Sequence, residues 1–143
     1  MHIVVLTNIL SPYRIPVFRE LAKLAGSLEV LYSGDEDVRQ WQIADIEDIR
    51  ARKVRSIVIS YYTRRFGLRR FDKKYLHIPL NLFKELKKSK PDGIFSAEMG
   101  IRTLLAAIYA KIHGVSLVVH WGGTLHTERN IGFIKRLIRK RIM

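Results

Sequence analysis

Short β-branched apolar runs alternate with helical stripes along this chain, and few architectures accept that order. The run His2 to Thr7 predicts a strand buried on both faces, with Asn8, Ser11 and Pro12 turning the chain behind it. Ile15, Phe18, Leu21 and Leu24, flanked by Val17 and Ala25, then recur at helical spacing; Pro16 is tolerated in a first turn and Gly26 supplies the stop. Leu28 to Tyr32 predicts a second strand, and Ser33 to Gln40 an acidic loop. Trp41 to Lys53 fits a short helix, Val54 to Tyr62 a strand, and the cation-dense stretch Tyr62 to Tyr75 a loop. A helix opening at Pro79 and carrying Leu80, Phe83 and Leu86 precedes a strand over Gly93 to Ser96. Thr103 to His113 is helical with apolar residues on most of its circumference, and Gly114 stands where a left-handed cap is wanted. Ser116 to Trp121 predicts the last strand. A Gly-Gly turn and a polar loop then lead to a final helix from about Ile131, carrying Ile134, Leu137, Ile138 and Ile142. Strands followed by helices, with near-continuous apolar strand cores, predict a doubly wound, mainly parallel α/β sheet with helices on both faces, Rossmann-like in build.

At 143 residues this is one domain, able to bury roughly 70% of the surface its unfolded form exposes. The last helix is still in full period at Met143 with nothing following to bury its apolar stripe, so the architecture is expected to continue beyond it. No cysteine is present, which removes disulfides, thiolate nucleophiles and cysteine-ligated zinc and fits a reducing, cytoplasmic compartment. The apolar start is too short for the core of a secretory signal and is read as the first strand. Arg102 and Lys111 interrupt the most apolar segment well before the roughly 18 residues of a spanning helix. Charge is the outlier: 26 Lys and Arg against 13 Asp and Glu give +13. A field of that sign favours polyanions, whether nucleic acid, lipid headgroups or phosphorylated substrates.

In an open parallel sheet, ligands bind at the carboxyl ends of the strands, which directs attention to the loops after Leu6, Ser96 and His120. The first, Asn8 to Arg14, contains no glycine, so neither a G-x-G-x-x-G dinucleotide turn nor a P-loop is present. It offers Asn8, Ser11, Tyr13 and Arg14 to hydroxyls or a phosphate; a turn capping the first helix accounts for the same residues. The second carries Glu98 beside Gly100, either a sugar-binding or basic carboxylate or a solvated loop acid. In the third, Gly122 and Gly123 allow close approach of a ligand. Thr124, His126, Thr127, Glu128, Arg129 and Asn130 crowd polar groups before a helix N-terminus. His126 in that polar loop is the stronger proton carrier, while His120 beside Trp121 is equally well a partly buried structural histidine. No ligand-like spacing of histidines or acids predicts a metal, and no G-x-S-x-G elbow supports a hydrolase.

NILSPYRIPVFRELAK at the start, KPDGIFSAEMG, AAIYAKIHG before SLVVHW, and GGTLHTERN before a basic helix together resemble one family across nearly the whole chain. It is the N-terminal domain of retaining GT-B glycosyltransferases of family 4, the group 1 transferase class. The S-P-Y-R-x-P-x-F-x-E-L and G-T-x-H-x-E-R segments are its more specific parts. The resemblance implies transfer of a sugar from a nucleotide diphosphate donor to a hydroxyl acceptor, with retention of anomeric configuration. It makes this chain the acceptor-binding half, inactive alone and without a cofactor of its own. The nucleotide-sugar donor would be held by a C-terminal domain or partner polypeptide, and the family's paired glutamates, E-x7-E, do not occur here. Gly122, Gly123, Thr124, His126, Glu128 and Arg129 match a motif near the interdomain cleft, and His120 stands where some members place a catalytic histidine.

The final helix separates Lys135, Arg136, Arg139, Lys140 and Arg141 from its isoleucines, and the stretch from Arg64 to Lys74 interleaves cations with Phe66, Leu68 and Phe71. Such segments suit either a solvated helix face or an anionic membrane surface, the inner face of the cell membrane, and with it an acceptor linked to lipid or a surface glycan. The alternative is a basic nucleic-acid-binding module, which the absence of RNP, KH or helix-turn-helix signatures disfavours.

Overall fold

Val4, Val5 and Leu6 are consecutive and wholly buried, so the strand that carries them must have neighbours on both edges and cover on both faces. A computed structural model describes residues 1–34, 36, 49–64, 71–122 and 132–142 and places that strand, β1 (His2–Thr7), at the centre of a five-stranded sheet. β2 (Ser27–Tyr32) and β3 (Arg50–Lys53) extend the sheet on one side, and β6 (Gly93–Ser96) and β7 (Ser116–Val119) on the other, in the order β3-β2-β1-β6-β7. Every pairing in it is parallel, with Val5 level with Val30 on one side and Phe95 on the other. The chain builds outward from β1 through β2 to β3, then crosses back to begin the other half at β6.

Alternation along the strands feeds two cores. On one face Val4, Leu6, Leu31 and Ile94 meet Leu82 and Leu86 of α2 (Leu82–Ser89) and Ala106, Tyr109 and Ala110 of α3 (Ile101–His113). On the other, Val5, Leu28 and Val30 meet Ile15 and Phe18 of α1 (Ile15–Ala25). The expected Rossmann-like sheet with helices on both faces is therefore the observed one. Gly26 ends α1 at φ 83°, with its amide bonded to Ala22 O, as the sequence predicts. The α1 stripe differs in detail: Ile15, Phe18, Leu21, Ala22 and Ala25 form it, and Leu24 is 86% exposed. At 100° per residue Leu24 points almost opposite to Ile15, so its hydrophobicity cannot be used there.

Three expectations are corrected. Residues 50–53, assigned to a short helix, form β3, an edge strand whose Arg50 and Arg52 both pair with the buried Glu29 of β2. Tertiary pairing overrides local propensity there, and a charged edge resists further strand addition; residues 41–48 lie outside the described residues. The cationic stretch expected as a loop contributes the ends of two antiparallel strands, β4 (Ser56–Arg64) and β5 (Phe71–Pro79), which form a ribbon of their own. Residues 65–70 of that stretch lie outside the described residues. Pro79 closes β5 instead of opening α2, which begins at Leu82, and Leu80 is exposed between them. A last helix, α4 (Phe133–Ile142), packs on α3. Among the described residues no helix is long and apolar enough to cross a membrane.

Candidate functional site

Reversal of strand order between β1 and β6 leaves the loops behind them diverging, and a crevice at that place is the standard ligand position of such sheets. Here the loop after β1 continues into a 3-10 turn, Pro12–Arg14, and then α1, while the loop after β6 runs through Glu98 to α3. The two are tied directly: the Asn8 amide donates to Glu98 Oε1 at 2.7 Å. The Ala97 amide continues the β6 ladder to Leu6 O at 3.0 Å. Asn8 O receives the amides of Ser33 and Gly34, at 3.0 and 3.2 Å, so the β2 loop is drawn to the same point.

A cavity of about 290 Å³ opens there, lined by Thr7, Asn8, Ile9, Ser11, Tyr13, Arg14, Glu36 and Glu98. The five residues selected from the first two loops, Asn8, Ser11, Tyr13, Arg14 and Glu98, are thus brought into one wall. Arg14 Nη1 donates to Thr7 Oγ1 at 3.0 Å, Thr7 Oγ1 donates to Ile9 O at 3.0 Å, and the Arg14 guanidinium lies 5.9 Å from the centre of the Tyr13 ring. Ser11 is only 1% exposed, lines the cavity, and its Oγ has no hydrogen-bond partner among the described residues. A buried hydroxyl left in that condition is costly unless a ligand completes it.

Glu36, on the β2–β3 connection, was not selected from the sequence. It is buried, lines the cavity, and its Oε1 lies 3.0 Å from Nε2 of the buried His77 of β5. The same rule that selected the other loops applies to the carboxyl end of β2 and would have found it. Arg102 does not line the cavity, but its charge interacts with that of Glu98. It lies in the first turn of α3, is 3% exposed, and donates from Nη2 to Ser33 Oγ, while Nη1 has no partner among the described residues. Burial pulls its pKa down to about 10, and the charge of Glu98 offsets part of that. An arginine interrupting an otherwise apolar helical stretch was the available signal. Ser96 Oγ and Thr103 Oγ1, 2.7 Å apart, fasten the start of α3 to β6 and so fix Glu98 and Arg102 together.

His120 and Gly122 do not line the cavity. The His120 amide extends the β7 ladder to Ser96 O at 2.8 Å, and its ring stacks on Phe95, centroids 6.3 Å apart and planes 20° apart. The ring is exposed at the sheet's carboxyl edge, one strand beyond β6. Gly123, Thr124, His126, Glu128 and Arg129 lie outside the described residues.

Chemically the cavity combines two carboxylates, three hydroxyls and one guanidinium within a chain of strong positive charge. Carboxylates at that density accept hydrogen bonds from a neutral, hydroxyl-rich ligand and oppose a phosphate. No protein-family model matches the chain, and no curated protein or solved structure matches it either.

Proposed function

We propose that this chain is the acceptor-binding half of a retaining glycosyltransferase, one that moves a sugar from a nucleotide-sugar donor to a hydroxyl of a glycan or lipid-linked acceptor. The observation that carries this reading is the placement of Glu98 and Glu36 in one polar cavity at the strand-order reversal, beside the hydroxyl of Ser11, which has no partner among the described residues. Acceptor hydroxyls must be oriented before they lose a proton, and carboxylates held at fixed positions orient them. Asn8, Ser11, Tyr13, Arg14 and Glu98 bind and orient the acceptor in this proposal. His120, at the edge nearer β7, and His126 are the groups assigned to its proton.

A departing nucleoside diphosphate develops negative charge, which two carboxylates would repel. Its phosphates therefore belong to a second domain or partner polypeptide facing this edge, and the chain alone is expected to bind acceptor without turnover. The enzyme so assembled works in the cytoplasm, at the inner face of an anionic membrane where a lipid-linked acceptor is presented.

Titrating the isotope-labelled chain with neutral disaccharides, and separately with nucleoside diphosphates, tests the reading by amide chemical shift. Disaccharides are expected to move Asn8, Ser11 and Glu98 with millimolar affinity, and Glu98→Gln to weaken that about ten-fold, the value of one charge-assisted hydrogen bond. Nucleotide shifts at these residues with none from any saccharide would refute it.

A further inference from the structure

The β4–β5 ribbon takes no part in the sheet that builds the cavity. Each of its strands is nine residues long, the pair forms a sheet by itself, and β5 rests on α3. A two-stranded ribbon is marginal in water, so its exposed side chains need a reason. Directly paired residues share a face. Ile59 opposite Leu76, with Ile57 next along, gives one face three aliphatic side chains that are 47%, 36% and 49% exposed, followed by exposed Lys74. On the other face the Lys73 ammonium lies 6.0 Å from the Tyr62 ring centre and 5.6 Å from that of Tyr75, and Tyr62 is exposed.

We propose that this ribbon is the surface by which the protein docks on an anionic lipid bilayer, its aliphatic face entering the acyl boundary while lysines and tyrosines occupy the headgroup layer. The inference deepens the membrane side of the function proposed above and stands on separate residues from the cavity. Tyrosine and lysine are the side chains that bridge an apolar interior and a charged surface. Exposed aliphatic area combined with cations is the composition that lipid headgroups and acyl chains together reward. A nucleic acid would engage the cations and leave Ile57, Ile59 and Leu76 in water. The surplus of +13 supplies long-range attraction to a negative membrane and none to a neutral one. On α4, by contrast, Arg139 stacks on Trp121 at 4.6 Å, which engages one of the helix's cations within the protein.

Flotation of the chain with vesicles of phosphatidylcholine, alone or with about 30% phosphatidylserine, provides the test. Binding to the serine-containing vesicles is expected to exceed that to the neutral ones at least ten-fold, and to weaken as salt is raised. Ile57→Ser with Ile59→Ser is expected to abolish binding. Lys73→Gln with Lys74→Gln is expected to weaken it on the order of twenty-fold, at about five-fold per cation. Both double variants should retain the amide spectrum of the β1 core. Equal binding to neutral vesicles overturns the proposal, as does undiminished binding by the folded Ile57/Ile59 variant. So does displacement from vesicles by a mixed-sequence oligonucleotide with the lysine variant affected and the isoleucine variant not. No saccharide enters this experiment and no lipid enters the titration above, so either reading can fail alone.

Discussion

The Asn8 amide and Glu98 Oε1, 90 residues apart in sequence, close over 2.7 Å the gap between the two halves of the sheet. One carboxylate oxygen thus serves the fold while the residue as a whole lines the cavity. Glu98→Ala removes a charge-assisted hydrogen bond at a half-buried place and is expected to lower unfolding free energy by about 1–2 kcal/mol. Glu98→Gln retains an acceptor for the Asn8 amide and is expected to recover most of that loss. Urea unfolding of the two variants measures the difference. Near-equal stabilities would mean that the bond contributes little to holding β1 and β6 together.

Arg102 presents the opposite balance. Its guanidinium is buried, makes one hydrogen bond to Ser33, and leaves Nη1 unpartnered among the described residues, while burial lowers its pKa to about 10. A folded pKa below the unfolded value for a cation means that the charged form opposes folding at neutral pH. That penalty is relieved only as pH rises above about 10 toward the higher value of the unfolded chain. Replacing an incompletely paired buried charge by an apolar side chain of similar length is often neutral or stabilising. Arg102→Met is therefore expected to unfold within about 1 kcal/mol of the parent chain, or above it, at pH 7. Its saccharide affinity is expected to fall, because the positive charge near Glu98 is lost. A loss of several kcal/mol without change in affinity would assign Arg102 to the core alone.

How far the sequence disclosed this arrangement depends on what kind of signal each element carried. β1 was legible because four successive residues, Ile3 to Leu6, are apolar, a pattern that only a doubly covered strand requires. Gly26 and Gly114 marked the ends of α1 and α3 because both positions adopt the left-handed conformation, at φ 83° and 67°. β3 was not legible, since RARK looks like a solvated segment until Glu29, 21 to 23 residues earlier, supplies the countercharge. The ribbon was half legible: β4 by its isoleucines, β5 hidden by its lysines. Within the site, the rule that strands point their ligands from carboxyl ends found Asn8 and Glu98. Glu36, beyond the carboxyl end of β2, obeys the same rule. His77 could not have been found that way, because it reaches Glu36 from a ribbon outside the sheet.

Glu29 ties acid stability to the junction of β2, β3 and α2. Burial, the largest influence, pushes its carboxyl up, but hydrogen bonds from Arg52 and Ser89 and the charges of Arg52 and Arg50 together hold it below the ordinary value. Arg52 also pairs with Glu85 and reaches Ser89 Oγ at 2.9 Å, so one guanidinium joins strand to helix. A depressed folded pKa stabilises the native state above the unfolded carboxylate value near 4.5, and that stabilisation drains away as pH falls through the folded value. Glu29→Gln leaves Arg52 short of its buried partner and is expected to cost about 3 kcal/mol at pH 7. The variant should also show a shallower loss of stability between pH 5 and pH 3 than the parent chain, about one proton's worth. Parallel denaturation curves across that range would show that the carboxylate is not ionised by its neighbours as the geometry requires.

Lys90, between α2 and Pro91, is the one non-glycine residue with positive φ among those described, at φ 49° and ψ 60°. Its amide bonds Leu86 O at 2.9 Å and so closes the helix in the left-handed manner that glycine performs at Gly26 and Gly114. A β-carbon in that conformation costs roughly 1 kcal/mol. Lys90→Gly is expected to raise stability by about 0.5–1 kcal/mol, the relief in the folded state being reduced by the greater freedom glycine gives the unfolded chain. For a domain of this size the midpoint of thermal unfolding should rise by about 2–4 °C. Lys90→Ala controls for the lost charge, since alanine keeps the β-carbon and should leave the midpoint nearly unchanged. If alanine stabilised as much as glycine, the cause would be relief of repulsion with Lys87 and Lys88 in the last turn, and the backbone argument would fail.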